Sequence, residues 1–228
     1  MAKFIFRLVF YLIFWLGGWI GLRSLPQGPE LLNRQLFLET AKTKSIFGVG
    51  LAIWLVVLVV LFFYRHSFGR WDIFRFQADW LNIFLLLAVG LLLAANFLAI
   101  FLIKEKNLTV LTLCLVGVTL YYLADTLFQQ LINFGFLQEG FSKIVSPPTA
   151  IFGAAFLFGI SHFLSMMEGT KFPEALGLVV AAFFLGLVFA FLRLKYNSLI
   201  PGFLLHFSIY LFVNGPFLYL LTRRKAIC

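Results

Sequence analysis

Long apolar runs separated by short polar ones organise the chain. Seven runs reach the roughly 20-residue length that a helix needs to cross the hydrocarbon layer: 4–22, 46–64, 81–103, 108–136, 148–165, 173–194 and 199–221. The pattern predicts an all-α fold, a polytopic transmembrane bundle of about seven spanning helices. The first three runs are apolar nearly all round, as lipid-exposed scaffold helices are. The fourth is unusually long and carries Asp125, Gln129, Gln130 and Asn133. Part of it is expected in the protein interior or beyond the hydrocarbon. On this reading residues 1–107 form an N-terminal scaffold and 108–228 a core, within one structural domain.

Two connections are more than turns. Residues 23–45 open with Pro26 and Gly28 and continue as a mixed polar helix; residues 65–80 interleave Arg65, Arg70, Trp71, Asp72, Arg75 and Trp80. The second has the composition of a segment anchored at headgroup level. Near the start, Lys3 and Arg7 introduce an apolar stretch followed by Gly21, Leu22 and Arg23, with no small-x-small cleavage site. A retained first span is expected.

Composition agrees with this class. The hydrophobic set makes up 62% of the chain and charged residues 12%, against roughly 45–50% and 25% in soluble domains. The net charge of +9 comes from Lys and Arg between the apolar runs, where they meet anionic headgroups, so membrane lipids are the expected partner and nucleic acid is not. The basic residues divide almost evenly between the two sides of a seven-span arrangement, so they do not fix its orientation. Cys114 lies inside an apolar run and reads as a small packing residue. Cys228 is the last residue and cannot open a prenylation box. With no lipidation or organelle signal, a bacterial inner membrane is the expected location.

Ionisable residues inside a membrane are costly and usually have a task. Asp125, His162 and His206 each lie near the middle of an apolar run, accompanied by Gln129, Gln130, Ser161, Ser208 and Asn214. Singly, each reads as a hydrogen-bonded packing residue. Together, a carboxylate and two imidazoles can hold and deprotonate a water, or supply three ligands to zinc or another divalent ion. No HExxH signature is present.

The order of these residues resembles the CPBP family, the CAAX-protease and bacteriocin-processing-like intramembrane peptidases. That family carries helix-borne motifs EExxxR, FxxxH and HxxxN or HxxxD. Here FxxxH stands as Phe158-Gly159-Ile160-Ser161-His162, and the third motif begins at His206. The first aligns with Ala124-Asp125-Thr126-Leu127-Phe128-Gln129, and a glycine-bearing helix at 183–187 lies between the later two. The likeness covers roughly residues 121–214. Ala124 replaces the first Glu, Asp125 the second, Gln129 the Arg, and Tyr210 the Asn or Asp. The resemblance implies a peptidase acting on a membrane-associated peptide or protein, with Asp125, His162, His206 and Tyr210 as catalytic candidates. Phe158, Gln129 and Asn214 would support them, and His162, His206 and Asp125 are the candidate metal ligands. A catalytically silent relative that binds a membrane peptide or partner protein is the alternative. A small transporter ranks last, since neither inverted repeats nor paired broken helices occur.

Overall fold

The computed structural model describes residues 45–68, 72–102, 108–168 and 170–218, with isolated positions 5, 6, 9, 13 and 17 before them. Apart from those isolated positions the predicted first span lies outside the described residues, as do residues 23–44 of the connection that follows it, Arg70, Trp71, Cys228 and the side chain of Cys114.

The described chain is helical and contains no strand. Its α-helices are α1 (Ser45–Phe68), α2 (Trp80–Leu102), α3 (Leu108–Gln130), α4 (Gln138–Phe141), α5 (Pro147–Ser161), α6 (Phe172–Tyr196) and α7 (Ile200–Asn214). A π-helical segment, Leu131–Leu137, joins α3 to α4. Short 3-10 helices occupy Asp72–Phe74 and His162–Glu168. Among the described residues, four helices are long and apolar enough to cross a membrane: Trp80–Leu102, Pro147–Met166, Phe172–Tyr196 and Ile200–Leu218. The apolar runs at 46–64 and 108–136 correspond to α1 and to α3 with its π-helical continuation. Proline in the first turn of α5, α6 and α7 suits positions whose backbone N–H has no intrahelical acceptor.

Small residues bring α5 and α6 together, as in other membrane helix pairs. A Cβ on Gly159 would lie 2.9 Å from the Cβ of Phe183, and one on Gly186 would lie 3.0 Å from the Cα of Ala155. This contact seats Phe158 and Phe189 in the centre of the bundle, 5.9 Å apart and edge-on.

Helix α2 departs from the expected lipid-exposed scaffold. Asn82, Leu85, Val89, Asn96 and Ala99 recur at helical spacing and are buried, while Phe84, Leu87, Leu91 and Leu98 are exposed. The buried stripe faces protein because two of its members need partners that lipid cannot supply. Asn96 Nδ2 donates to the carbonyl of Leu211 at 3.0 Å, and its Oδ1 accepts the backbone N–H of Phe217 at 3.0 Å. The segment before α2 clasps the α6–α7 junction. Leu199 N–H and Ser198 Oγ both donate to the carbonyl of Ile73, at 2.7 and 3.2 Å, and Gln77 Nε2 donates to that of Tyr196 at 2.9 Å. Asp79 caps α2, accepting the Asn82 N–H at 2.8 Å.

Arg193, expected among headgroups, is buried. Its guanidinium donates to Glu139 Oε2 at 3.0 Å and to Asn197 Oδ1 at 2.9 Å. Asn197 ends α6 in the left-handed region at φ 48°, where Asn is one of the few tolerated side chains. Beside this pair, Gln138 Nε2 donates to the carbonyl of Ala190 at 2.8 Å. Two polar contacts thus bind α4 to the end of α6.

Candidate functional site

Helix α3 supplies the first part of the site. Residues four apart share a helix face, and Gln129 Nε2 reaches back to Asp125 Oδ2 at 2.8 Å. The same amide donates to the Tyr210 hydroxyl of α7 at 3.0 Å. Asp125 and Gln129 are both buried. The Oε1 of Gln129 has no hydrogen-bond partner among the described residues, leaving an acceptor beside the carboxylate. Tyr122, one turn before, stacks on the Tyr210 ring with centroids 5.0 Å apart.

Immediately after Gln130 the helix widens. In the π-helical segment the N–H of Gln138 bonds to the carbonyl of Asn133, five residues back. At the junction Asn133 Nδ2 donates to the Gln129 carbonyl at 2.8 Å. Such widenings often stand at functional sites. Here one follows directly on the polar pair Gln129 and Gln130.

The second part comes from α5. After Ser161 the helix tightens to 3-10, and the N–H of His162 turns to Gly159 and Ile160 instead of Phe158. The Phe158 carbonyl is thereby released. Ser161 Oγ takes it at 2.6 Å and His162 Nδ1 at 2.8 Å. A carbonyl only accepts, so His162 Nδ1 carries the proton and Nε2 keeps its lone pair.

The third part is α7. His206 is buried, with its ring 4.9 Å from Phe189 and 5.0 Å from Tyr210. Phe158 presents an edge to both imidazoles, at 4.9 Å from His162 and 5.8 Å from His206. Gln130 Nε2 lies 3.3 Å from His206 Nδ1. With the amide placed this way its NH₂ faces Nδ1, so the contact is a hydrogen bond in the ring form that leaves Nδ1 bare and puts hydrogen on Nε2. In those ring forms His162 offers a lone pair at Nε2 and His206 an N–H.

The predicted residues therefore form a chain of neighbours. Asp125 and Gln129 meet Tyr210, Tyr210 meets His206, and Phe158 lies between His206 and His162. Asn214 ends α7, and its side chain lies outside the described residues. Ala124 is fully buried. Among the described residues no three His, Cys, Asp or Glu side chains gather as a metal-ligand set.

Gln130 was visible in the sequence only as polar company, because it falls outside the three motifs. Phe189 and Tyr122 gave no signal there, since one more aromatic in an apolar run does not stand out.

Compared with known proteins, residues 108–212 match the family described as Rce1-like, type II CAAX prenyl endopeptidase Rce1-like. Neither a curated protein nor a solved structure matches the chain.

Proposed function

We propose, from the match of residues 108–212 to the Rce1-like CAAX prenyl endopeptidase family, that this integral membrane protein hydrolyses a peptide bond of a membrane-associated substrate at a His/Asp site. The observation that carries the reading is the pair of imidazole contacts flanking Phe158, His162 Nδ1 to the Phe158 carbonyl and His206 Nδ1 to the Gln130 amide. Amide hydrolysis needs a base for the incoming water and a donor for the oxygen that becomes negative. His162 Nε2 takes a proton from water as the oxygen attacks the scissile carbonyl carbon. His206 Nε2–H and the Tyr210 hydroxyl donate to the developing oxyanion. The tetrahedral intermediate collapses, the C–N bond breaks, and the proton held by His162 passes to the leaving amine. Gln129 donates to the Tyr210 oxygen, and the phenolic hydrogen, bonded to the Asp125 carboxylate at rest, turns to the oxyanion as its charge develops. Asp125, first expected as the base, anchors that amide. The finer expectations of seven spans, a 1–107 scaffold with a 108–228 core, and a bacterial inner membrane remain part of this proposal.

The test is cleavage of a prenylated CAAX peptide by purified protein in lipid vesicles. Wild type is expected to cleave it. His162→Ala and His206→Ala are each expected to lower turnover by at least about 100-fold, with folding checked by thermal melting. A folded, inactive wild type would favour the silent, peptide-binding relative. Loss of activity with a chelator, restored by zinc, would replace the direct imidazole–water route with a metal-assisted one.

A further inference from the structure

We propose that Gln130, which belongs to none of the three motifs, is the positioning residue that fixes the ring state of His206 and keeps hydrogen on its Nε2. The contact is the 3.3 Å approach of Gln130 Nε2 to His206 Nδ1, both side chains being buried. A neutral imidazole in isolation interconverts between two forms, and its hydrogen-bond partner selects one. Gln130 selects the form that donates from Nε2.

The amide orientation has its own support. A Cβ on Gly202 would lie only 2.9 Å from Gln130 Oε1, so the oxygen fills the space that any side chain at 202 would take. Reversing the amide would aim its NH₂ at the Gly202 carbon and its oxygen at His206 Nδ1. Gly202 is thus the wall that holds the amide oxygen. The aromatic faces of Phe189 and Tyr210 hold the imidazole plane, so the choice left to Gln130 is which nitrogen carries hydrogen. The start of the π-helical segment directly after Gln130 lets α3 aim this residue at His206 while Gln129 reaches Asp125 and Tyr210.

The importance of this ring state for turnover rests on the proposed peptidase reading; the ring state itself does not. The chain has three His, so nitrogen-15 NMR of the full protein, labelled at histidine, can be assigned with His66→Ala and His162→Ala. In wild type, His206 Nε2 is expected to be the hydrogen-bearing nitrogen and Nδ1 the bare one. Gln130→Glu places an acceptor there and is expected to reverse the pattern. Gln130→Leu, and Gly202→Ala through displacement of the amide, are expected to give a mixture. Wild type with hydrogen on Nδ1 overturns the inference without any variant, and so does a Gln130→Glu spectrum unchanged from wild type in a protein that still melts cooperatively. In the cleavage assay Gln130→Leu should lower kcat by about tenfold to a hundredfold with little change in KM, less than loss of an oxyanion donor costs. A protein with the expected ring state but no peptidase activity upholds the inference and defeats the peptidase reading.

Discussion

At Tyr210 a phenol stands where the family resemblance leads one to expect Asn or Asp. Its hydroxyl accepts from Gln129 at 3.0 Å and donates its hydrogen to the Asp125 carboxylate. Tyr210→Phe removes that donor while preserving the stack on Tyr122 and leaving Gln129 bonded to Asp125. We expect kcat to fall by about 10²–10³-fold with KM nearly unchanged. Stability should fall by about 1–3 kcal/mol, since the hydroxyl's bonds to Gln129 and Asp125 are both lost. Steady-state kinetics and thermal melting of the same preparation check both. Both histidines were legible in the sequence because an imidazole in an apolar run is costly enough to stand out. Their ring states were not, since these depend on the Phe158 carbonyl and on Gln130, 76 residues away from its partner His206.

The helices were legible by length and polarity, but their buried faces were not. In α2 a run that reads as uniformly apolar hides Asn82 and Asn96 against protein, because a nearly all-apolar helix gives periodicity too little contrast to mark a face. The cap on this helix is testable. The Asn82 backbone N–H bonds to Asp79 and holds its carboxyl below the ordinary value near 3.8. A carboxyl depressed by folding contributes stability above its unfolded pKa, and that contribution is lost as pH falls through the folded pKa. Melting temperature should therefore drop more steeply below about pH 4 in wild type than in Asp79→Asn, whose amide caps without ionising. Equal acid sensitivity would remove Asp79 from the account. The α5–α6 contact gives a second test. Gly186→Leu would push into Ala155 and Phe158, costing about 1–3 kcal/mol by overpacking. It should also lower activity, because Phe158 carries the carbonyl that holds His162. Melting and cleavage measured together separate the two effects.

Across the whole molecule, polar contacts join the pieces that apolar packing brings near. Arg193 and Glu139 bind α4 to the end of α6. Removing one partner of a largely buried pair costs about 3–5 kcal/mol, whereas replacing both can be nearly neutral. Arg193→Met should lower the melting temperature markedly, and adding Glu139→Gln should restore much of it; an additive loss would contradict the coupling. In the sequence Arg193 read as a headgroup charge because it lies near the end of an apolar run, where position alone does not separate a lipid contact from an internal one. Asn96 has a consequence of a different kind, one of time. Among the described residues its side chain is paired by Leu211 and Phe217, 115 and 121 residues further along the chain. At about 5–20 residues per second of synthesis, α2 waits roughly 6–24 seconds with that amide unpaired by its final partners. The tie between α2 and the end of the bundle is therefore among the last contacts of the described chain that synthesis allows to form.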